Sequence, residues 1–350
     1  MTSLDIENHE ELKTYLSDSN RLGNAEITSM QNLPGGVSNR AVLVHLDDGR
    51  AWVLKQALEK LRVAVDWFSD PARIHREALG MKYLHELAPS GSITPLMFED
   101  HEHHILAMEA VPQPHENWKV LLLQGDLHQE DVQQFAGILA AIHRNAWEQR
   151  DTLKSTFDDA QYFESLRLEP YYAFAAQQVP EAAKFLNDII AQTRLQKITL
   201  VHGDYSPKNI LKYKNKLILL DHEVIHWGDP AFDVGFSMTH LLSKAHHLKE
   251  HRNAFAKAAQ FYWENYFVQL QNVDWKEQLE ERAVRHTLAC LLARVAGRSP
   301  LEYLNEEERK VQRDVVVEIM KNSPSQIPVL IEMFMSSIYK AEIPLLNTMK

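Results

Sequence analysis

A polar loop between two apolar runs limits what this 350-residue chain can fold into more than any other part of it. Residues 201–221 read Val-His-Gly-Asp-Tyr-Ser-Pro-Lys-Asn-Ile-Leu, then Lys-Tyr-Lys-Asn-Lys, then Leu-Ile-Leu-Leu-Asp. The pattern predicts a polar loop, a hairpin-like turn and a second strand that ends in an acid. The segment therefore carries Asp204 and Asn209 on the loop and Asp221 at the strand end.

Phosphoryl transfer needs side chains of these three kinds. One carboxylate orients the accepting hydroxyl and takes its proton, while oxygen ligands hold magnesium against the phosphates. We therefore predict that Asp204 is the catalytic base. Asn209 belongs to the same catalytic loop, and we predict that it binds Mg²⁺ together with Asp221.

A glycine-containing turn near the N-terminus is a second candidate for phosphate contacts. Two predicted strands flank the segment Leu-Pro-Gly-Gly-Val-Ser-Asn-Arg at residues 33–40. Because Gly35 and Gly36 carry no side chains, the backbone there can approach phosphates closely, and Ser38 and Asn39 can donate hydrogen bonds to them. The alternative is a plain hairpin turn, which two glycines also favour.

The spacing of His202, Gly203, Asp204 and Asn209 resembles the catalytic loop of the aminoglycoside phosphotransferase and methylthioribose kinase superfamily. Protein kinases usually have Arg where this chain has Gly203. The resemblance implies an α+β, two-lobed, protein-kinase-like fold, with a small antiparallel sheet plus helix in one lobe and a large, mainly helical second lobe. It implies an N-terminal nucleotide-binding lobe at 1–111 and a C-terminal catalytic and substrate-binding lobe at 112–350.

The resemblance also implies a phosphate-binding lysine and its acidic partner. Lys55 ends the apolar run Trp-Val-Leu, where kinase-like folds have the strand lysine that reaches the α- and β-phosphates. Glu77 lies on the next predicted helix, which starts with Asp-Pro-Ala-Arg at 70–73. We predict an ion pair between Lys55 and Glu77, and Glu86 on the same helix is the alternative partner.

A short proline-ended link after a predicted strand resembles the hinge between kinase lobes. The strand ends at Met108, and Glu-Ala-Val-Pro follows. In the family this link contacts the adenine edge through its backbone, which makes the backbone groups near Glu109 and Val111 predicted nucleotide contacts. Met108 takes the position of the residue that guards the pocket.

The residues that follow the second apolar run resemble the methylthioribose kinase branch. Asp221-His222-Glu223 stands where protein kinases have Asp-Phe-Gly, which makes Glu223 a further candidate metal ligand. Asp229 and Asp233 resemble the family's Gly-Asp-Pro…Asp signature. We predict that Asp229 caps the following helix and that Asp233 accepts N–H groups of the catalytic loop.

Helical periodicity dominates the C-terminal third, and it predicts helices near 231–246, 252–270, 275–296, 305–321 and 327–340. Arg294 and Arg298 lie at the end of an otherwise apolar helix. Two interpretations stay open for this pair. The arginines cap the helix C-terminus as cations, or they bind a carboxylate or phosphate group of the substrate.

Composition and charge exclude several other classes of protein. The net charge of −11 argues against a broad nucleic-acid surface, which needs an excess of Lys and Arg. The single cysteine, Cys290, lies in an apolar helical run and is predicted to be a buried, inert thiol. Neither a signal-peptide pattern nor an apolar stretch of the roughly 18 residues that a membrane span needs is present. We expect a cytoplasmic monomer or homodimer without nucleic-acid or membrane partners.

These features together predict an ATP-dependent phosphotransferase that uses Mg²⁺ and acts on a hydroxyl of a small molecule. The acceptor stays open among aminoglycosides, amino alcohols, sugars, hydroxy acids and related metabolites, and GTP is an alternative to ATP. The alternatives from other classes are a kinase-like nucleotide-binding protein without turnover and a protein kinase. The long helical insertion before the catalytic loop, and the lack of an Ala-Pro-Glu segment after Asp221, disfavour the protein kinase.

Overall fold

The computed structural model describes residues 4–34, 37–62 and 66–348 of the chain. Within these ranges the protein has the predicted α+β architecture: an antiparallel sheet with two helices comes first, and a larger, mainly helical part follows. The predicted phosphate contacts Gly35 and Gly36 lie outside the described residues. The division of the chain at residues 111 and 112 stays a prediction.

In the described N-terminal residues, five strands form one sheet in the spatial order β1-β2-β3-β5-β4, and each neighbouring pair is antiparallel. The strands are β1 (Ile27–Asn32), β2 (Asn39–Leu46), β3 (Ala51–Ala57), β4 (Leu96–Asp100) and β5 (Ile105–Glu109). One face of the sheet packs against helix α1 (His9–Asp18), whose Leu12 and Leu16 are fully buried.

Helix α2 (Arg73–Leu87) packs on the other face of the sheet. Along β5, Ile105 and Ala107 join the core on the α1 side, while Leu106 and Met108 join the core on the α2 side, as expected when side chains alternate along a strand. The helix that was predicted to start within 70–73 begins at Arg73, the last residue of that segment. Asp70 instead caps the preceding turn, because its carboxylate accepts the N–H of Ala72 at 2.9 Å.

Helices and short turns make up most of the chain after residue 111. The helices are α3 (Trp118–Leu123), α4 (Gln129–Glu148), α5 (Arg150–Phe157), α6 (Gln161–Phe163), α7 (Phe174–Gln178), α8 (Ala183–Leu195), α9 (Pro230–His247), α10 (Arg252–Gln269), α11 (Leu279–Ala296), α12 (Glu306–Lys321) and α13 (Ile327–Thr348). A π-helical segment, Glu164–Ala173, connects α6 to α7. The helices predicted in the C-terminal third are confirmed, although α13 extends past residue 340. Among the helices of the described ranges, none is both long enough and apolar enough to cross a membrane.

Two small sheets hold the ends of the loop that carries Asp204. Their strands are β6 (His115–Asn117), β7 (Thr199–Val201), β8 (Ile210–Tyr213), β9 (Lys216–Leu219) and β10 (His226–Gly228). Strand β7 pairs with β10, and β8 pairs with both β6 and β9. The loop therefore leaves one sheet and enters the other, so both of its ends are fixed by backbone hydrogen bonds.

Helix α9 forms the centre of the helical part, and every residue from Pro230 to His246 is buried. Asp229 caps its N-terminus by accepting the N–H of Ala231 at 3.0 Å, as predicted. Helix α11 approaches α9 closely at Gly235, because a Cβ there would lie 2.6 Å from the backbone of His286. The close packing of α9 against α11 therefore fixes the position of the segment that leads from residue 221 into α9.

Cys290 lies in α11 and is fully buried. Burial raises the pKa of its thiol to about 12, and its Sγ lies 3.1 Å from the hydroxyl of Tyr172. A thiol in these surroundings is not a nucleophile at neutral pH, which confirms the predicted inert cysteine.

Candidate active site

A cleft of about 1440 Å³ is lined by both the N-terminal sheet and the helical part. It collects predicted site residues from the whole chain: Ser38, Asn39, Lys55, Met108, Glu109, Val111, Asp204, Asn209, Asp221, Glu223, Arg294 and Arg298. Glu77 is fully buried and lies behind Lys55. Residues that are far apart in sequence therefore face one shared space.

Asp204 and Asn209 contact each other directly across the catalytic loop. Asn209 Nδ2 donates to Asp204 Oδ2 at 2.7 Å and to the Asp204 carbonyl at 3.0 Å. A 3₁₀ turn at Pro207–Asn209 produces this approach. Within the described residues, Asp204 Oδ1 and Asn209 Oδ1 accept no hydrogen bond. Each residue therefore presents to the cleft one oxygen that no described residue binds.

Asp233 anchors the catalytic loop from helix α9. Its carboxylate accepts the N–H of His202 at 2.7 Å and that of Gly203 at 2.8 Å, which confirms its predicted role. His143 Nε2 lies 3.2 Å from the same carboxylate. Burial opposes ionisation, but His143 and the loop N–H groups outweigh it and lower the pKa of Asp233. The ionised carboxylate therefore holds the loop in one position.

Gly203 is required by both the backbone conformation and the packing of the loop. Its φ is +77°, in the left-handed region. A Cβ at this position would lie 2.9 Å from Val224 Cγ2 and 3.1 Å from the Val224 carbonyl oxygen. Only glycine fits without a shift of the segment that follows Asp221. These contacts are the physical reason for a glycine where protein kinases usually have arginine.

Arg167 was not among the predicted site residues, yet it contacts the catalytic loop. Its Nη2 lies 2.8 Å from Asp204 Oδ2, and its Nε donates to the Gly203 carbonyl at 2.9 Å. Burial disfavours the charge, but Asp204 outweighs burial and raises the pKa of Arg167 further. The residue lies in the π-helical segment, a kind of turn that is frequent at functional sites. In the sequence, the only hint of this role is that the arginine lies between two leucines, Leu166 and Leu168, all three of which are buried in the structure.

Lys55 binds two carboxylates at the wall of the cleft. Its Nζ lies 2.7 Å from Glu77 Oε1 and 2.9 Å from Asp221 Oδ1. The predicted Lys55–Glu77 ion pair is confirmed, whereas Glu86 is exposed. Burial disfavours the ammonium, but the two carboxylates raise the pKa of Lys55 above its ordinary value. Burial also disfavours the Asp221 carboxylate, but the positive charge of Lys55 outweighs burial and lowers the pKa of Asp221 below its ordinary value.

The residues around Asp221 fit a divalent cation. Asp221 has φ +68°, a conformation that few residues besides Gly, Asn and Asp adopt. Within the described residues its Oδ2 has no hydrogen-bond partner, and Asn209 offers its amide oxygen nearby in the same cleft. Carboxylate and amide oxygens are ligands that Mg²⁺ prefers.

Glu223 connects this segment to the N-terminal sheet. Its Oε2 accepts hydrogen bonds from Arg73 Nε at 3.1 Å and from Asn39 Nδ2 at 3.4 Å. Arg73 is fully buried, and it also donates to the backbone carbonyls of Ser38, Leu58, Ser69 and Asp70. Glu223 Oε1 accepts no hydrogen bond within the described ranges, and direct metal binding by this residue stays a prediction.

Replacing Arg73 by Met is expected to lower the free energy of unfolding by about 3 to 5 kcal/mol, because it leaves a buried carboxylate without its cation. Urea unfolding followed by circular dichroism measures the change. Lys82→Met, on the exposed side of the same helix, is the control and should cost less than about 1 kcal/mol. If the two variants lost the same free energy, the buried Arg73–Glu223 pair would not hold these segments together.

The sheet end of the cleft is apolar, with Val53, Leu211 and Leu220 lining it beside Met108. The N–H of Glu109 donates to the Pro95 carbonyl at 2.9 Å. The N–H of Val111 has no acceptor within the described residues. A flat aromatic ligand would therefore meet apolar walls and one free N–H at the end of β5, the arrangement of many small-molecule sites.

Ser38 and Asn39 lie at the rim next to Glu223. Asn39 Nδ2 donates to Ser38 Oγ at 3.2 Å as well as to Glu223. The Asn39 Oδ1 is buried and has no partner among the described residues. Their predicted donation to phosphates stays a prediction, and the neighbouring glycines are not described.

Arg294 and Arg298 line the helical end of the cleft, together with Lys119 and Lys208. The cleft therefore has an apolar sheet end, a catalytic loop with open oxygens, and a helical end rich in cations. The capping interpretation of the two arginines does not require them to face the same space as Asp204.

A sequence profile of the phosphotransferase enzyme family matches residues 29–266, which is more than half of the chain. The matched residues include Lys55, Glu77 and the whole catalytic loop. No curated protein matches the chain.

Solved structures with a similar fold share little sequence with the chain. The amicoumacin kinase hAmiN, in complex with AMP-PNP, Ca²⁺ and Ami, has a TM-score of 0.58 at 12% identity over 93% of this chain and 99% of that one. A putative fructosamine-3-kinase from Thermobifida fusca has a TM-score of 0.52 at 15% identity, over 89% of this chain and 99% of that one. A Plasmodium vivax ethanolamine kinase has a TM-score of 0.52 at 11% identity, over 99% of this chain and 92% of that one. These similarities establish the kinase-like fold.

Proposed function

The chain belongs to the phosphotransferase enzyme family, and from this membership we propose that it transfers the γ-phosphoryl group of ATP to a hydroxyl of a small molecule. One observation carries the proposal. Asp204, Asn209 and Asp221 each present in one cleft an oxygen that makes no hydrogen bond with the described residues, beside the ammonium of Lys55. This set combines a hydroxyl-orienting carboxylate with oxygen ligands for a metal and a cation for phosphates.

Asp204 is assigned to the acceptor hydroxyl. Its Oδ2 is held by Asn209 and Arg167, so the carboxylate cannot rotate freely, and its Oδ1 is left to accept the hydroxyl hydrogen bond. Orientation matters more than basicity in a loose transition state, because the hydroxyl loses its proton late. Asp204 then takes that proton as the new O–P bond forms.

Lys55 is assigned to the phosphates of the nucleotide. Glu77 and Asp221 fix its ammonium at the cleft wall, so its position does not depend on the ligand. Adenine would lie against the apolar walls of the sheet end, with the N–H of Val111 and the carbonyl of Glu109 at its edge. The assignment explains why a cation and an apolar slot occur side by side.

Mg²⁺, when bound, would neutralise charge on the β- and γ-phosphates and keep them in line with the attacking oxygen. Asn209 Oδ1 and Asp221 Oδ2 are the oxygens that would hold it, and Glu223 Oε1 is a further candidate ligand. Asn209 would then serve two purposes, because its Nδ2 also holds Asp204.

Two alternatives are less well supported. The complete set of Asp204, Asn209 and Asp221 counts against a nucleotide-binding protein without turnover. The long series of helices between β6 and β7, and the lack of an Ala-Pro-Glu segment after Asp221, count against a protein kinase. We keep the expectation of a cytoplasmic monomer or homodimer from the sequence.

Release of ADP from Mg-ATP tests the proposed function. The protein is offered a set of hydroxylated metabolites and aminoglycosides, and at least one is expected to raise ADP release above the rate with water alone. Mg-ATP is also expected to raise the melting temperature. If the nucleotide neither stabilised the protein nor was consumed with any acceptor, the proposed function would be wrong.

A further inference from the structure

Among the described residues, the helical end of the cleft carries more cations than carboxylates. Arg294, Arg298 and Lys208 line it, and none of the three belongs to an ion pair within the described residues. Lys119 lines the same end and is paired with Glu302. The whole chain has a net charge of −11, so a local excess of cations does not follow from composition.

Arg294 is held firmly without being neutralised. It is 8% exposed, and its Nη1 donates to the Tyr171 hydroxyl at 3.1 Å and to Ser299 Oγ at 3.0 Å. Its Nε is buried and has no partner among the described residues. Nη1 also donates to the backbone carbonyl of Ser299, just beyond the end of α11, so this nitrogen supports the turn after the helix. Nη2 makes no hydrogen bond within the described residues, so capping leaves part of the guanidinium unused. A buried cation without a counter-charge is costly unless a ligand completes it.

His240 adds a second unpartnered group to the same wall. It is 4% exposed and lines the cleft one turn after Phe236 on α9. Its Nε2 has no hydrogen-bond partner among the described residues. Burial, followed by the charges of Lys244 and Arg294, holds the pKa of His240 well below its ordinary value. The neutral ring still has one N–H that it can donate to a ligand.

Lys244 lies one turn after His240 on α9 and is fully buried. Its Nζ donates to the His240 carbonyl at 3.4 Å and lies 5.2 Å from the centroid of the Tyr303 ring. No ion pair within the described ranges includes it. Burial, helped by Lys119, lowers the pKa of Lys244 to about 7. A further potential cation is therefore placed directly behind the cleft wall.

Tyr171 connects this wall to the acceptor position. The guanidinium of Arg294 lies 5.4 Å from the centroid of the Tyr171 ring, and that of Arg167 lies 5.7 Å from it. Arg167 in turn binds Asp204. Arg294 and Arg167 therefore contact the same aromatic ring, in the cleft that Asp204 also lines.

We propose that Arg294, Arg298 and His240 bind an anionic group, a carboxylate or a phosphate, on the same molecule whose hydroxyl faces Asp204. The inference rests on the proposed function and adds the class of acceptor, a hydroxylated acid or phosphate ester. Guanidinium groups bind both anions through paired hydrogen bonds. The same cations repel the ammonium group of an amino alcohol or an aminoglycoside, so they select between acceptors as well as bind one.

Replacing Lys244 by Met is expected to raise the urea concentration at the midpoint of unfolding at pH 6, because the variant buries no charge at this position. Below about pH 7 the residue is charged in both the folded and the unfolded chain, so the folded protein bears the full cost of the buried charge. Between about pH 7 and the ordinary pKa of 10.5, the unfolded chain binds a proton that the folded protein has released. Wild-type stability therefore rises with pH in this interval.

The gain from Lys244→Met should accordingly shrink by pH 9, as measured by urea unfolding at several pH values. Lys257→Met, at an exposed position of α10, should show no such trend. A wild type more stable than Lys244→Met at pH 6 would mean that the ammonium has a counter-charge in the folded protein, which would contradict an unfilled anion site beside it.

Isothermal titration of malonate and of inorganic phosphate into the protein loaded with Mg-AMP-PNP tests the proposal. The nucleotide occupies the phosphate contacts at Lys55, so the titrated anion reports on the helical end of the cleft. At least one of the two anions is expected to bind, and the tighter one tells a carboxylate site from a phosphate site. Arg294→Gln and Arg298→Gln should each weaken binding by about tenfold or more. The exposed Arg313→Gln, on α12, should leave it unchanged.

The outcomes separate this inference from the proposed function. If neither anion bound, or if all three variants matched the wild type, the anion site would be wrong while Mg-AMP-PNP binding stood. ADP release gives a second readout, with glycerate and glycerol phosphate expected to be better acceptors or inhibitors than ethanolamine and choline. A preference for the two amino alcohols that persisted in Arg298→Gln would also overturn the inference. Failure of the proposed function appears differently, as loss of nucleotide binding or of all ADP release. Because Arg298 is exposed, its variant stays informative even if Arg294→Gln folds poorly.

Discussion

Asp204→Asn is expected to lower the turnover number for phosphoryl transfer by about 100- to 10,000-fold, while the affinity for Mg-ATP stays close to that of the wild type. Asparagine keeps the shape of the side chain, and its oxygen can still accept hydrogen bonds from Arg167 and Asn209. It cannot take the proton of the acceptor hydroxyl. ADP release with a saturating acceptor measures the turnover number, and isothermal titration measures the nucleotide affinity.

Asp314→Asn is the matched control for this prediction. Asp314 lies on α12 and pairs with Lys310 at 2.8 Å, outside the cleft. This variant should keep wild-type turnover. Wild-type turnover in Asp204→Asn would show that another group takes the proton. A loss of nucleotide affinity together with turnover would show that Asp204 belongs to the nucleotide site instead.

Asp221→Asn is expected to weaken Mg²⁺-dependent binding of AMP-PNP by about 10- to 100-fold, the loss of one or two charge-assisted contacts. The variant removes the negative charge that would hold the metal and frees one side of Lys55, which keeps its pairing with Glu77. Asparagine is the better replacement than alanine here, because it tolerates the left-handed backbone at φ +68°. Isothermal titration with and without Mg²⁺ measures the effect.

The comparison without metal is the control for this second prediction. With EDTA present, Asp221→Asn should bind the nucleotide at least as tightly as the wild type, because neither protein has the metal contribution and the variant frees one side of Lys55. If the variant kept the full Mg²⁺-dependent affinity, the metal would be held elsewhere, with Glu223 as the first candidate.

The part of the site around Asp204 was predictable from sequence because its residues lie close together along the chain. Asp204, Asn209 and Asp221 lie within one strand-loop-strand unit, and turn residues mark where each apolar run stops. Lys55 follows the apolar run Trp-Val-Leu within β3. Glu77 could be chosen over Glu86 because helical periodicity puts Glu77 on the buried face of α2.

Arg167 and Arg73 were out of reach for the opposite reason. Arg167 meets Gly203 across 36 positions of sequence and Arg73 meets Glu223 across 150. The sequence around an arginine on a helix does not show whether its guanidinium lies in solvent or beneath a catalytic loop. Its role appears only when tertiary packing brings the two segments together.

The buried wall of α9 shows a second limit of sequence patterns. Helical periodicity separates a buried face from an exposed face, but α9 is buried on all sides. The sequence pattern therefore does not distinguish His240 and Lys244, at or behind the cleft wall, from residues of the hydrophobic core. The lobe boundary at residues 111 and 112 remains a prediction because no observation tests it. The phosphate contacts at Gly35 and Gly36 remain predictions because these residues lie outside the described ranges.

Transfer of a labelled γ-phosphoryl group is the most direct measurement of what this protein does. Wild type and Asp204→Asn are incubated with Mg-ATP labelled at the γ-phosphorus and with the acceptor that gives the highest ADP release, and the products are separated. The label is expected in the small molecule, in an amount equal to the ADP formed, and to be nearly lost in the variant. Label that appeared only in inorganic phosphate or on protein, or that reached the acceptor equally in both proteins, would contradict a small-molecule kinase built around Asp204.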